Sequence, residues 1–218
     1  MLKKLFIRPY FGVLPEWMEQ YNKNIIGLKP DGFDWWIITD KEFYSDLIQK
    51  KLGIKPNFDY DACKSSEFGP AFGIIFEDYL KGYDFWGYTN LDVVYGNLKK
   101  FIPDTFLTCT DVFSDDPRDM CGPFSLCRNN KLVNNLFKEH PNWKQIFEDK
   151  KHNAFDEKGF TDIVRKASQD GKIRLNFARW HGEDTNNKIV CQKNLSVFAD
   201  GKEVMFYHFK EKKIWPLN

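Results

Sequence analysis

Neither sign of charge dominates this chain: 32 Lys and Arg stand against 31 Asp and Glu, a formal net charge of +1, and the basic residues are scattered. That balance excludes the electrostatic footprint expected of a protein that binds nucleic acid or an anionic membrane. Long apolar runs are missing as well. The opening Met1-Leu2-Lys3-Lys4-Leu5-Phe6-Ile7 breaks at Arg8 and Pro9, too soon for a signal peptide or an anchor, so it reads as a first strand. No later window approaches a membrane span. The five cysteines, Cys63, Cys109, Cys121, Cys127 and Cys191, are odd in number and lack paired short spacing. A disulfide framework and a zinc site are therefore not indicated, and reduced thiols in a cytoplasmic setting are expected. Cys121 and Cys127 have no nearby histidine and carboxylate to make a thiol nucleophile. A Gly-rich P-loop and a G-x-G-x-x-G fingerprint are both absent, which leaves phosphoryl transfer and nicotinamide chemistry with little support. There is no internal repeat, linker or low-complexity tract.

What the chain does have is apolar and aromatic bulk. With 218 residues, 42% hydrophobic and 17% aromatic, it can bury one sizeable core and is expected to form a single domain. Strand-like and helix-like segments alternate, which predicts an α/β fold with a mixed, mainly parallel central sheet flanked by helices. Leu5 to Arg8 is the first strand; Pro15 opens an amphipathic helix carrying Trp17, Met18, Tyr21, Ile25 and Ile26; Trp35 to Thr39 is the next strand. Thr39 or Asp40 can cap a helix from Lys41 to Leu52 that Gly53 stops. Gly69 to Leu80 is apolar around most of its circumference, as a buried helix would be. Beyond a central strand follow Phe106 to Val112, an acidic loop (Ser114, Asp115, Asp116, Asp119), a strand from Phe124 to Arg128, and helices at Asn130 to Lys138 and Asp156 to Lys166. Asp200-Gly201 marks a hairpin turn leading into a strand from Val204 to Phe209.

The most informative stretch is that central strand. Phe85, Trp86 and Tyr88, then Leu91, Val93 and Val94, have the bulky character of a strand buried on both faces, and Asn90 and Asp92 stand where it ends. A carboxylate there is costly unless something cationic meets it. In an open α/β sheet ligands bind at the carboxyl ends of strands, and a hard divalent cation joining Asp92 to a diphosphate would satisfy the charge. The plainer alternative is a turn, for which Asn and Asp are common residues.

Taken in order, Pro9-Tyr10-Phe11-Gly12, Ile37-Ile38-Thr39-Asp40, Pro70-Ala71-Phe72-Gly73, Trp86-Gly87-Tyr88-x-Asn90-x-Asp92, Phe155-Asp156-Glu157 and His208-Phe209 resemble a compact glycosyltransferase of the GT-A, Rossmann-like fold. The resemblance spans nearly the whole chain. It is to small bacterial and viral sugar transferases, including the type encoded by large chlorella viruses, and more distantly to the family 8 galactosyltransferases. It implies manganese or magnesium, a UDP-sugar donor (UDP-glucose, UDP-galactose or UDP-rhamnose type), a glycan or glycoprotein acceptor, and a monomer. It also implies a nucleotide-binding half, about 1–100, merged with an acceptor-binding and metal-completing half, about 101–218. An inert nucleotide-sugar or glycan-binding protein on the same fold is the alternative, and a metal-dependent phosphohydrolase is a further rival.

The resemblance carries roles onto particular residues. The D-x-D motif falls on Asn90-Leu91-Asp92: Asp92 should ligate the metal, and position 90 should touch the ribose or a metal-bound water, here with one negative charge fewer. His208 should complete the metal shell, and Lys213, or else Lys210 or Lys212, should meet the diphosphate. Thr39 and Asp40 would contact the uridine, or only cap the helix. Tyr10 and Phe11 would stack on uracil or pack in the core. Lys64 would reach the donor phosphates or sugar, although Gly69 stands where relatives often carry a lysine. Asp156, and after it Glu157, would be the catalytic carboxylate at a helix start, with plain capping as the alternative. Glu183-Asp184 compete for that role. Asp115, Asp116 and Asp119 would either lie on a loop that moves over the acceptor or, adequately, be solvated charge, and inversion or retention is undecided by spacing.

Overall fold

A computed structural model of the chain describes residues 1–60, 62–183, 190–210 and 215–217. The described residues form twelve strands: β1 (Lys4–Pro9), β2 (Phe33–Ile38), β3 (Phe85–Thr89), β4 (Val93–Tyr95), β5 (Val112–Ser114), β6 (Phe124–Arg128), β7 (Leu175–Phe177), β8 (Gly182–Glu183), β9 (Val190–Lys193), β10 (Ser196–Ala199), β11 (Lys202–Val204) and β12 (Phe206–His208). Six of them make the main sheet, in the order β2-β1-β3-β6-β5-β7. β1 runs parallel to β2 and β3, β6 is antiparallel to β3 and β5, and β7 is parallel to β5. The expected mixed α/β sheet flanked by helices is what forms.

The sheet is double-faced because its strands are apolar on both sides. Leu5, Ile7, Trp86, Tyr88, Val112 and Cys127 enter one core; Phe6, Phe85, Phe113, Phe124 and Leu126 enter the other. Helix α1 (Met18–Ile26) adds Tyr21 and Ile25 to the second core, whereas α2 (Lys41–Leu52) adds Tyr44, Leu47 and Ile48 to the first. The chain therefore leaves β1 over one face to reach β2 and crosses back over the other face to reach β3. The order reverses between β1 and β3, and a crevice opens at the carboxyl ends of strands at such a reversal.

Helix α2 has the expected ends. The Asp40 carboxylate accepts from Phe43 N at 2.9 Å, and Gly53 closes the helix with φ +70°, which adds about 1 kcal/mol for the cap. Asp200 and Gly201 turn the hairpin with φ +50° and +76°. The strand expected from Val204 to Phe209 divides at Met205: β11 pairs with β10, and β12 pairs with β4 and β8.

The helix expected from Gly69 to Leu80 is a 3-10 segment, Ala62–Ala71, followed by one α-turn, Phe72–Ile75. Pro70 lies inside the segment and has no N–H to continue an α-ladder. Gly73 is needed for close approach: a Cβ there would stand 2.4 Å from Asn134 Oδ1 and 2.6 Å from Trp86 Nε1, atoms joined by a buried 2.7 Å hydrogen bond. Gly73→Ala is thus expected to destabilise the fold by about 1–3 kcal/mol, read as a lower urea midpoint with unchanged slope. Among the described residues no helix is long and apolar enough to cross a membrane.

Candidate active site

β3 stops at Thr89, whose hydroxyl donates to Pro123 O at 2.8 Å, so the chain turns through Asn90, Leu91 and Asp92 before β4 begins. Leu91 is buried and draws the turn inward, leaving Asn90 and Asp92 partly exposed on either side of it. The antiparallel register of β4 with β12 sets His208 against Val93, and Phe209 N donates to Asp92 O at 3.0 Å. The two side chains meet: His208 Nε2 lies 3.2 Å from Asp92 Oδ2, with the histidine 12% and the aspartate 22% exposed. The other ring nitrogen, His208 Nδ1, is buried without a partner.

This pair fits a divalent cation. Two adjacent ligands about 2.1 Å from one octahedral ion stand about 3 Å apart, close to the separation seen, and imidazole with carboxylate suits manganese. Among the described residues no group of three or more His, Cys, Asp and Glu converges. A cation held here would take its remaining ligands from water or from a bound molecule, as hard cations do at phosphate sites.

Beside the pair, at the reversal between β1 and β3, runs a cleft lined by Arg8, Ser66, Tyr88, Thr89, Asn90, Gly122 and Asp156. Its free volume is about 20 Å³, room for a single water, so a larger ligand requires its walls to part. Arg8 is half-buried and donates from Nη1 to Ser66 Oγ at 2.7 Å, while its Nε is buried and unpartnered. Burial lowers the guanidinium pKa, against the pull of Asp92. Asp156 is 7% exposed. Its carboxyl is pushed up to about 7, first by burial and then by the charges of Glu157 and Glu67. The residue opens a short π-helical turn, Asp156–Phe160, that continues into the helix Thr161–Gln169.

The other expected residues divide. Thr39 and Asp40 are exposed at the carboxyl end of β2, with Asp40 also capping α2. The Tyr10 hydroxyl donates to Val13 O at 3.1 Å, and Phe11 packs on Tyr44 and Phe58 in the core. Glu157 is exposed, outside the cleft lining. Lys212, Lys213 and Asp184 lie outside the described residues. Lys210 is 46% exposed and stands 3.4 Å from Glu183.

Two expectations are corrected. Lys64 does not face a donor: it is fully buried, and its ammonium donates to Ile146 O at 2.6 Å and Lys151 O at 3.2 Å, 3.6 Å from Glu67. Two residues of the acidic loop are not solvated charge: Asp115 is 0% and Asp116 7% exposed. Asp115 accepts from Trp180 N at 2.8 Å and contacts His181 Nδ1 at 3.0 Å, and Asp116 chelates Arg118. His181 is stacked on Phe206, and its Nε2 is 3.5 Å from Glu183. Burial opposes its charge, but Asp115 outweighs burial and raises the imidazole pKa. Burial likewise opposes charge on Glu183, and Lys210 and His181 overcome it, holding that carboxyl below its ordinary range. β8 lies beside β12, with Glu183 in register with His208.

Arg8 and the Asp115–His181 contact went unassigned in the sequence. Arg8 carried one usable sign, a charge at the end of an apolar strand; the other contact joins residues 66 positions apart and left none.

No curated protein matches the chain. Among solved structures, a glycosyltransferase involved in the glycosylation of the major capsid of PBCV-1 is similar over 96% of this chain and 94% of that one, with a TM-score of 0.44 and 8% identity. A family described as of unknown function, DUF6625, matches residues 6–215. That match takes in Arg8, Asn90, Asp92, Asp156 and His208, and the chain belongs to this family.

Proposed function

We propose that this protein transfers a sugar from a UDP-sugar to a glycan hydroxyl with the help of manganese or magnesium. The observation that carries the proposal is the contact between Asp92 and His208 at the sheet's reversal, beside a cleft that holds a guanidinium and a protonatable carboxyl. Asp92 and His208 would hold the cation, which when bound lowers the charge cost of the departing diphosphate. Arg8, with one N–H unused, is suited to an anionic oxygen of the same group. Asn90 keeps a carbonyl for the ribose or a bound water, while Tyr10, Thr39 and Asp40, just past the carboxyl ends of β1 and β2, would meet the uridine. In the reaction the acceptor oxygen bonds to the anomeric carbon as the bond from that carbon to UDP breaks. The hydroxyl proton passes to Asp156, whose ionisation near neutrality suits a general base. Glu157 is the weaker choice because it is exposed, outside the cleft lining.

The test is UDP release from UDP-glucose, UDP-galactose and UDP-rhamnose, with and without manganese, alongside binding of each by calorimetry. Manganese-dependent release supports transfer. Binding without release supports the inert nucleotide-sugar reading that Asn90, one charge short of D-x-D, favours. Failure to bind any UDP compound overturns both.

A further inference from the structure

One 3-10 turn carries three side chains that tie down the two walls of the cleft. Ser66 accepts from Arg8, while Lys64 and Glu67, both fully buried, reach away toward the chain that precedes Asp156. The Glu67 carboxylate accepts from Asn153 N at 2.5 Å and from Phe155 N at 2.6 Å. Between those amides, Ala154 takes φ +52°, a left-handed conformation that is disfavoured for a residue with a Cβ. Two amides flanking such a residue point the same way and form a concavity for an anion, and the Glu67 carboxylate fills it. Lys64 fastens the start of the same segment through the carbonyls of Ile146 and Lys151. The turn is itself anchored, since Tyr44 donates to Ser65 O at 3.1 Å.

A wholly buried ion pair is a poor device for stability alone, because desolvation offsets its attraction. Its position suggests a different use. We propose that Glu67, supported by Lys64, is a positioning residue: it fixes Asn153–Phe155 and so determines where the Asp156 carboxyl stands across the cleft from Arg8, which Ser66 of the same turn holds. The inference rests on the reading of Asp156 as the proton acceptor. The groups that act on Asp156 are Glu157 on its own turn, Glu67, and Tyr88, and Arg8 lines the same cleft. Glu67 is both the anchor of its backbone and one of the charges that keep it protonated.

The experiment uses Glu67→Gln and the double variant Lys64→Met with Glu67→Gln, which removes both buried charges together and is the one expected to fold well. The two amides meet different carboxylate oxygens, and Gln sets an NH2 donor against one of them. The carboxyl of Asp156 is titrated by carbon-13 NMR without substrate, and kcat and KM are measured against pH. The expected result is an Asp156 midpoint lowered by about one pH unit, UDP affinity within about twofold of the parent, and kcat reduced at least about tenfold with its acidic limb shifted by the same amount. An unchanged midpoint in the folded double variant overturns the proposal. The titration needs no turnover, so failure of the reading of Asp156 as proton acceptor would show separately, as Asp156→Asn retaining activity.

Discussion

Asp156→Asn is expected to lower sugar transfer by about 100- to 10,000-fold, the range for loss of a general base, while making the folded protein more stable at pH 8. The second half follows from burial. A free aspartate ionises near 3.8, but in the folded chain this one holds its proton to about 7. Below pH 4 both states are protonated and the group contributes nothing. Between those values the unfolded chain has released its proton and the folded chain has not, so the unfolded state binds fewer protons and stability falls as pH rises. Above pH 7 the loss is complete, on the order of 4 kcal/mol for about three units. Asparagine carries no such charge and keeps the shape. Urea denaturation from pH 4 to 9 should therefore show the variant gaining on the parent as pH rises and levelling above pH 8, with calorimetry giving unaltered UDP binding. Parallel pH curves for the two proteins would remove the claim of a buried, proton-holding carboxyl. Full activity in the variant would remove its catalytic role.

The second large effect is expected at the cation pair. Asp92→Ala and His208→Ala should each weaken manganese-dependent UDP binding at least about 100-fold. The double variant should lose little more than either single one, because two ligands of one ion do not act independently. Folding should survive, since the bond from Phe209 N to Asp92 O and the ladder of β4 with β12 are made by backbone. Wild-type response to manganese in both single variants would dismiss the pair as a metal site and leave an ordinary histidine-carboxylate hydrogen bond.

How much of this could be read in the sequence depended on distance along the chain. The limits of α2 were legible because Asp40 and Gly53 act within one turn of themselves, and the tip of β3 was legible because aromatic bulk stops abruptly at Asn90. Asp92 and His208 are 116 residues apart, and only a family resemblance suggested that they share a task. Burial of charge was the least legible property. Lys64 was assigned to a ligand and Asp115 to solvent because such residues are seldom buried, yet both are satisfied inside, by carbonyls of Ile146 and Lys151 and by Trp180 N with His181. Those partners come from remote segments that local pattern does not link. The segment from Gly69 was misread for another reason: its apolar residues suit a helix, but Pro70 and the close approach at Gly73 bend it into tighter turns.

The long reach from Asp92 to His208 also sets an order of events during synthesis. Every strand of the six-membered sheet precedes β8, so that sheet can close while the C-terminal strands are still unmade. The nascent chain can thus hide most of its apolar surface early, which guards against aggregation. It cannot join imidazole to carboxylate until residue 208 has emerged and threaded between β4 and β8. An interrupted translation product would be folded in its larger part and chemically silent.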